Sequence, residues 1–220
     1  MNKFLAHATG MARREADETI VNGRVQVNNK VVSLGARVKD SDKVTLDGKA
    51  IEPSRQHQTI LLNKPIGFVS SRRAQGGAKT IYELLPPELH SLKPVGRLDR
   101  DSSGLLLLTT DGDLAHQMTH PKFRKNKTYL VQLDRMLEPL HQQMISDIGI
   151  NLDDGRSQLV LEKVDESGNR TDWRVTMHEG RNRQIRRTFA ALGYQVIKLH
   201  RIEFGPYALD DLAPGKWRSL

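Results

Sequence analysis

The stretch VGRLDRDSSGLLLLTTDG at residues 95–112 decides how the larger part of this chain folds. Its apolar run at 105–108 lies between turn-forming residues, which is typical of a buried β-strand. Arg97 and Asp99 stand in the charged segment that leads into this run. A carboxylate at the rim of a rigid core is well held for chemistry, so Asp99 is a candidate catalytic residue. The segment alone fits equally well an aspartate that caps a turn or pairs with an arginine.

The composition favours a soluble globular protein over a disordered one, since 37% of the 220 residues are hydrophobic and 27% are charged. No apolar run approaches the roughly 18 residues that cross a bilayer, and we expect no secretory signal. Cysteine is absent, which fits a reducing compartment, so we expect a cytoplasmic protein. The eight histidines show no HExxH or comparable spacing, so we expect no metal.

The charge balance points to a polyanionic partner. The formal net charge is +8 at pH 7, which favours binding to nucleic acid or to an anionic membrane. No segment has the pattern of an amphipathic membrane helix or of a lipidation site. We therefore expect nucleic acid as the partner and no membrane.

The first fifty-one residues predict a small independent domain. Helically spaced apolar residues end at Gly10, and a second helical pattern over 12–21 ends at Asn22-Gly23. The alternating residues 24–27 and a turn at Asn28-Asn29 then indicate a β-hairpin. The sequence thus predicts two short helices packed on a small sheet.

This domain resembles the alpha-L motif, an RNA-binding domain of ribosomal proteins. The resemblance is carried by NKFLA at 2–6, RREADETIVNGRVQVN at 13–28 and VKDSDKVTLDG at 38–48. Ala12 stands where the family often has a serine, whose loss as a helix cap costs roughly 1 kcal/mol. The resemblance implies backbone contacts to RNA from Arg13, Arg14 and Arg24, which on their own would pass for a solvated basic surface.

Residues 52–58 are polar and contain a proline, so we interpret them as a linker. Strands outnumber helices in the remainder and the connections are short. We therefore expect residues 59–220 to form an α+β domain with a largely antiparallel mixed β-sheet flanked by helices. Strands are predicted at 60–62, 68–70, 105–108, 127–132, 159–164, 173–177 and 196–199, and helices at 80–85, 113–118, 137–148 and 182–192.

A second charged segment, EGRNRQIRRT at 179–188, carries four arginines within seven positions. A helix over 182–192 puts Arg183 and Arg187 opposite its apolar face and Arg186 at the border of that face. Arg183 and Arg187 then suit phosphates. Arg186 suits a partly buried carboxylate, for which Asp99 is the candidate, because a buried arginine needs an acid. A solvated, RNA-facing patch of all four arginines is the alternative.

Five motifs in this order resemble those of pseudouridine synthases. They are NKPIG at 63–67, GRLDRDSSGLLLLTTDG at 96–112, KTYLV at 127–131, EGRNRQIRR at 179–187 and KLHRIEFG at 198–205. Together with the N-terminal domain they are similar to the RsuA/RluB family, which modifies a single uridine in ribosomal RNA. The resemblance spans residues 2 to about 217 and implies that the chain is an isomerase.

The resemblance also implies individual roles. Asp99 falls on the catalytic aspartate, Tyr129 on the aromatic residue that stacks on the target base, and Arg186 on the arginine that pairs with the aspartate. Leu199 falls on the apolar residue that packs against the base. Three arginines and one lysine complete the expected substrate-binding set, namely Arg97, Arg183, Arg187 and Lys64.

The chemistry suits these residue types. The reaction breaks the N-glycosidic bond, rotates the uracil and joins it through carbon to the same sugar, so no redox step and no cofactor is expected. An ionised Asp99 would act as nucleophile or as base at the sugar, and both routes stay open. The base must leave its stack, and Tyr129 with Leu199 would hold it.

We expect a monomer that acts on ribosomal RNA, 23S rather than 16S, free or in a pre-ribosomal particle. A non-catalytic RNA-binding or ribosome-assembly factor is the alternative from another class, and the same chemistry on a different RNA is a third reading. Two nearby acids serve other purposes in this interpretation: Asp101 forms a turn and Asp111 caps a helix, neither with a matched arginine.

Overall fold

The computed structural model of this protein describes residues 1–39, 41–52, 57–72, 74, 76–164 and 170–220. The chain divides into two compact units, Met1–His57 and Gln58–Leu220. The linker predicted at 52–58 includes residues 53–56, which lie outside the described residues. None of the helices in the described part of the chain has the length and hydrophobicity to span a membrane.

The first unit packs two helices against a small antiparallel sheet. Its core is formed by Leu5, Ala16, Ile20, Val25 and Val44. Within its described residues the strand order is β2-β1-β3-β4. The elements are α1 (Asn2–Thr9), α2 (Arg13–Val21), β1 (Val25–Val27), β2 (Lys30–Val31), β3 (Val44–Leu46) and β4 (Lys49–Ala50).

The ends of these elements follow from local chemistry. Helix α1 ends at Gly10, whose φ of 78° is left-handed and favours glycine. Asn28 and Asn29, with φ of 51° and 64°, form the two-residue turn that joins β1 to β2. Ala12 offers no side-chain cap to α2, but the Glu15 carboxylate accepts a hydrogen bond from the Ala12 N–H at 3.2 Å. Half of a capping box therefore remains at this helix start.

The second unit is built on one large sheet. Over the described residues the strand order is β11-β12-β8-β13-β7-β5-β15, with β6 paired to β7 and β14 to β13. The strands are β5 (Thr59–Lys64), β6 (Lys93–Pro94), β7 (Ser103–Thr109), β8 (Lys127–Leu133), β9 (Ile150–Leu152), β10 (Gly155–Ser157), β11 (Val160–Lys163), β12 (Asp172–Met177), β13 (Val196–Phe204), β14 (Tyr207–Ala208) and β15 (Trp217–Ser219).

Helices and turns flank this sheet, and β9 and β10 form a separate hairpin. They are α3 (Gly112–Thr119), α4 (Pro139–Gln143), a π-helical turn (Met144–Ile148), α5 (Gln184–Ala190) and 3₁₀ turns at Ile81–Leu84, Pro87–Leu89 and Pro121–Phe123. Strands β13 and β7 run parallel, and the other strand pairs of the described residues are antiparallel. The predicted α+β fold with a largely antiparallel mixed sheet is confirmed.

The centre of the sheet is buried on both faces. In β7, Leu106 and Leu108 belong to the larger core, whereas Leu105 and Leu107 belong to a second core on the other face. The side chains of strand β5 also alternate between the larger core and the second core. Because side chains alternate between the faces of a strand, a strand that is covered on both sides has an unbroken apolar sequence.

Four predicted elements differ in the structure. The helix predicted at 80–85 is a 3₁₀ turn at Ile81–Leu84. The strand predicted at 68–70 makes only one bridge, from Val69 to Thr80, because Ser70 is tied to the backbone of Leu98 instead of to a neighbouring strand. The helix predicted at 137–148 changes to a π-helical turn, where the Ile145 carbonyl accepts from the Leu159 N–H. The helix predicted at 182–192 begins only at Gln184 and ends at Ala190.

Candidate active site

The loop that carries Asp99 is fixed on both sides. Leu98 is buried, its N–H donates to Ser70 Oγ at 3.2 Å, and its carbonyl accepts from the same hydroxyl at 3.0 Å. On the other side, the Ser102 N–H donates to the Asp99 carbonyl at 3.1 Å and closes a turn. The Asp99 side chain keeps 39% of its surface exposed. The sequence therefore holds a partly exposed carboxylate on a backbone with little freedom to move.

Gly104 brings this loop beside strand β13. A Cβ atom at this position would lie 2.2 Å from the Arg201 carbonyl oxygen and 2.6 Å from the Arg201 nitrogen. Its φ of 104° is also unfavourable for other residues. Only glycine permits the parallel pairing of β7 with β13 at this distance. The sequence signal for this contact was the glycine of the Ser-Ser-Gly turn.

A cleft of about 1170 Å³ lies against the Asp99 loop. Its lining includes Asp99, Tyr129, Leu199, Arg97 and Arg183 from the predicted site. Tyr129 and Leu199 are 8% and 7% exposed, so both lie in the wall of the cleft rather than on an open surface. Neighbouring strands β8 and β13 supply them. The structure thus brings together a carboxylate, an aromatic ring and an aliphatic side chain from distant parts of the sequence.

The arginine beside Asp99 is Arg183, so the predicted pairing of Arg186 with Asp99 is wrong. Arg183 Nη1 lies 3.5 Å from Asp99 Oδ2. Arg183 precedes helix α5 in a left-handed conformation with φ of 47°, which directs its side chain to the Asp99 loop instead of away from the apolar face. Helical periodicity, on which the prediction rested, does not apply at this residue.

Asp101 is the acid that organises both arginines. It accepts from Arg183 Nη1 and Nη2 at 3.1 and 3.0 Å, and its Oδ2 lies 3.3 Å from Arg186 Nε. Burial acts to raise the pKa of Asp101, but the hydrogen bonds from Arg183 and the charges of both arginines outweigh it and leave the pKa lowered. The expectation that Asp101 has no matched arginine is therefore wrong.

Arg186 lies beneath the loop and does not line the cleft. Its side chain is 13% exposed, and it donates to the carbonyls of Val196 at 2.7 Å and Asp101 at 2.9 Å. Burial lowers the pKa of this guanidinium. Arg186 thus joins strand β13 to the Asp99 loop.

Besides Arg183, two of the arginines predicted to contact RNA already have acidic partners. Arg187 Nη2 donates to Asp154 Oδ2 at 2.6 Å, because the β9–β10 hairpin places Asp154 beside α5. In the first unit, Arg24 Nε donates to Asp47 Oδ1 at 2.9 Å in a two-pronged ion pair. Both arginines are therefore already paired within the protein, and their contacts with RNA stay predictions.

Three other predicted arginines remain available. Arg13 and Arg14 are exposed in the first unit, and Arg97 is exposed at the cleft of the second unit. None of the three forms an ion pair with a carboxylate of the described residues.

Lys64 does not line the cleft, contrary to its expected place among the substrate-binding residues. It is fully buried, and its Nζ donates to the carbonyls of Pro65 at 2.9 Å and Ser102 at 2.7 Å. Burial lowers its pKa to about 8, against the opposite effect of Asp101 and Asp99. The lysine of the NKPIG motif therefore anchors the end of the Asp99 loop from below.

Sequence reasoning missed the residues at the end of the cleft formed by Lys127, Arg201 and Phe204. The Arg201 guanidinium lies 4.7 Å from the centre of the Phe204 ring, and Lys127 Nζ lies 5.3 Å from it. Burial, followed by the charge of Arg201, lowers the pKa of Lys127 to about 8. The KLHR segment did contain the arginine, but nothing in its spacing indicated a buried cation.

No group of three or more His, Asp or Glu side chains that could hold a metal ion occurs among the described residues. The titratable side chains that line the cleft are instead mostly guanidinium and ammonium groups, with the carboxylates of Asp99 and Glu179 among them. Such a site has the functional groups for acid–base and nucleophilic chemistry on an anionic substrate.

Comparison with known families matches both units. Residues 58–191 match the family model described as RNA pseudouridylate synthase, and residues 2–44 match the S4 domain. A crystal structure of a pseudouridylate synthase superimposes with a TM-score of 0.70 and 33% identity, covering 100% of this chain and 94% of that one.

Two relatives whose names specify a ribosomal subunit match over nearly their full length. The ribosomal large subunit pseudouridine synthase B of Bacillus subtilis (strain 168) is 38% identical over 224 residues, which cover 100% of this chain and 91% of that protein. The ribosomal small subunit pseudouridine synthase A of Pasteurella multocida (strain Pm70) is 38% identical over 226 residues, covering 100% and 95%.

Proposed function

Because the chain belongs to the RNA pseudouridylate synthases of the RsuA/RluB family, with an N-terminal S4 domain, we propose that it converts one uridine of ribosomal RNA to pseudouridine with Asp99 as the catalytic carboxylate. The family makes the chain an isomerase. The observation that carries the proposal is the presence of Asp99, Tyr129 and Leu199 in the wall of one cleft, with Arg183 3.5 Å from the carboxylate.

The carboxylate acts at the sugar of the target nucleotide. In one route it attacks C1′ as the bond to N1 breaks, and in the other it removes a proton from the carbon next to C1′. In both, the electron pair of the glycosidic bond goes to the uracil. The uracil then rotates and C5 bonds to C1′, while the bond from C1′ to Asp99 breaks in the first route or Asp99 returns the proton to the neighbouring carbon in the second. The proton then leaves C5, and N1 takes up a proton. Atoms and charge balance without a cofactor.

The wall of the cleft holds the base during this rotation. A uridine reaches the site only when it is turned out of its stack, which costs a few kcal/mol. The Tyr129 ring supplies an aromatic face and Leu199 an apolar contact, and both suit a flat base. Their burial in neighbouring strands keeps this slot in one shape while the base turns.

RNA backbone contacts belong to the exposed arginines. Arg97 lies at the cleft beside Asp99, where it can position the phosphates around the target nucleotide. Arg13 and Arg14 of the first unit have no carboxylate among the described residues within ion-pair distance, which favours a role on a separate stretch of RNA. Such contacts give affinity that falls steeply with salt.

The preferred substrate in this proposal is 23S ribosomal RNA, free or within a pre-ribosomal particle, and the enzyme acts as a cytoplasmic monomer. The resemblance of the EGRNRQIRR segment to large-subunit members supports 23S. The relatives from Bacillus subtilis and Pasteurella multocida are named for the large and the small subunit respectively, so 16S is the alternative that the experiment must separate.

The test is a map of pseudouridines in ribosomal RNA from cells that lack this gene. A gene that encodes the wild type, Asp99→Asn or the control Asp211→Asn is then introduced into these cells. Asp211 is exposed and does not line the cleft. We expect one 23S site to disappear and to return with wild type and Asp211→Asn only. Loss of a 16S site would change the substrate, and rescue by Asp99→Asn would contradict the catalytic role.

A further inference from the structure

Arg201 is a buried cation in the cleft without an acidic partner. It is 2% exposed, and its Nε donates to the Leu105 carbonyl at 2.8 Å. Its Nη2 is also buried and has no hydrogen-bond partner. No carboxylate of the described residues lies within 4.0 Å of its nitrogens.

Burial and the lack of a carboxylate partner together set Arg201 apart from the other arginines near the site, since Arg97, which also has no ion pair, is exposed. Arg183 and Arg186 share Asp101, and Arg181 and Arg187 share Asp154. A buried guanidinium that is left unpaired is strongly unfavourable. The Phe204 ring offers some compensation, since a cation–π contact is worth about 0.5–2 kcal/mol. Lys127 beside the same ring adds a second positive charge. This end of the cleft is therefore prepared for a negative charge from a ligand.

Arg201 also stands next to the residues that we expect to hold the base. It is directly opposite Tyr129 in the pairing of β13 with β8. Leu199 lies two residues earlier on the same strand, and therefore on the same face. Side chains at directly opposite positions lie about 5 Å apart at their Cβ atoms. A base between Tyr129 and Leu199 is thus within reach of the guanidinium.

We propose that Arg201 is a further catalytic residue, which donates from its free Nη2 to a carbonyl oxygen of the uracil and stabilises the negative charge that the base acquires when it separates from the sugar. The inference rests on the proposed function. Breaking the C1′–N1 bond leaves the electron pair on the base, where it is shared between N1 and the carbonyl oxygens. The charge disappears when C5 bonds to C1′, the proton leaves C5 and N1 is protonated.

A fixed cation contributes most to such a step because it needs no reorganisation when the charge develops. The hydrogen bond to Leu105, on the central strand β7, and the contact with Phe204 hold the guanidinium before substrate arrives. The same group on an RNA phosphate would strengthen binding without accelerating the reaction. Stabilisation of the base therefore changes the reaction rate, whereas phosphate binding changes Kd.

The experiment compares Arg201→Gln and Arg201→Lys with wild type and with the control Arg174→Gln. Arg174 is half-buried, is paired with Glu203 and does not line the cleft. The substrate is a short RNA around the uridine mapped above, labelled with tritium at C5. Release of tritium under single-turnover conditions gives the rate at saturating enzyme, and a filter-binding titration gives Kd.

We expect Arg201→Gln to slow the reaction by about 10²–10³-fold, as loss of one such donor does elsewhere, with Kd changed less than about 3-fold. The rate of Arg201→Lys should lie between those of wild type and Arg201→Gln, and Arg174→Gln should match wild type. A weakened Kd with an unchanged rate would assign Arg201 to a phosphate and overturn the proposal. Unchanged values for both would also overturn it.

A second substrate separates charge stabilisation from a structural defect. Fluorine at C5 withdraws electrons and stabilises the departing base, so 5-fluorouridine at the target position should shrink the defect of Arg201→Gln by at least about 10-fold. Loss of 5-fluorouridine from a nuclease digest measures this rate. An equal defect on both substrates would contradict the proposal. A wild-type protein that leaves the uridine unchanged would overturn the proposed function, and with it this inference.

Discussion

Arg183 reaches the Asp99 carboxylate from a residue with a left-handed backbone, with Arg183 Nη1 3.5 Å from Asp99 Oδ2 and a φ of 47°. Such a backbone conformation is unfavourable for an arginine and is kept only where surrounding contacts impose it. Here the two hydrogen bonds to Asp101 impose it. The position of the cation beside the proposed catalytic carboxylate therefore depends on a second aspartate.

Asp101→Asn tests this dependence. The change removes the charge that holds Arg183 and Arg186, so we expect the single-turnover rate to fall about 10-fold. The free energy of unfolding should fall by only about 1 kcal/mol, because the partial exposure of Asp101 screens its ion pairs. Urea unfolding and tritium release measure the two effects. The control Asp210→Asn removes an exposed ion pair with Arg218 and should change neither. Equal behaviour of the two variants would contradict an organising role for Asp101.

Gly104→Ala tests the close approach of β7 and β13. The added methyl group would lie 2.2 Å from the Arg201 carbonyl oxygen. We therefore expect the free energy of unfolding to fall by more than about 3 kcal/mol, or the protein not to fold. Gly215→Ala is the matched control, because Gly215 has φ of 78° but no atom closer than 4.0 Å. It should cost only about 1 kcal/mol. Thermal and urea unfolding give both values, and similar losses would show that the approach is not restrictive.

Lys64 predicts a pH dependence of stability. Its pKa is about 8 in the folded protein and near 10.5 in the unfolded chain. Between these values the unfolded state binds more protons, so this residue adds stability as the pH rises from about 8 to 10.5. Relative to that of Lys64→Met, the free energy of unfolding of the wild type should rise by roughly 2–3 kcal/mol between pH 7.5 and 10, as measured by urea unfolding. A difference that does not change with pH would contradict the burial of this lysine as a charged group.

The first unit predicts the salt dependence of RNA binding. Replacing Arg13 and Arg14 together by glutamine should reduce the slope of log K against log salt by about 2, because each phosphate contact contributes about one. The rate at saturating RNA should stay unchanged. Arg24→Gln is the comparison, since the charge of Arg24 is already neutralised by Asp47, and it should change the slope by less than about 0.5. An equal effect of Arg24→Gln on the slope would contradict the assignment of phosphate contacts to Arg13 and Arg14 rather than to Arg24.

Much of the fold could be predicted because its signals are local. The apolar run at 105–108 indicated a strand covered on both faces, and the glycine and asparagine turns marked the ends of the N-terminal elements. The resemblance placed Asp99, Tyr129 and Leu199 in one site, and the structure brings these three side chains to one cleft. Their roles in the reaction stay predictions.

The contacts around these residues could not be predicted in the same way. Helical periodicity assigns faces but does not show that Arg183 leaves the helix geometry, so it selected the wrong arginine for Asp99. The isolation of Arg201 is a property of the whole sheet, since it depends on which acids the other strands and loops do not bring near it. Neither spacing nor composition carries that information.

The most direct test of the central claim is single-turnover tritium release by purified Asp99→Asn on RNA that carries the target uridine, with Kd measured in the same buffer. We expect binding within about 3-fold of wild type and release slower by at least about 10³-fold, because the variant keeps the shape of the site but has no nucleophile or base. Release at the wild-type rate would contradict the assignment of Asp99 as the catalytic carboxylate.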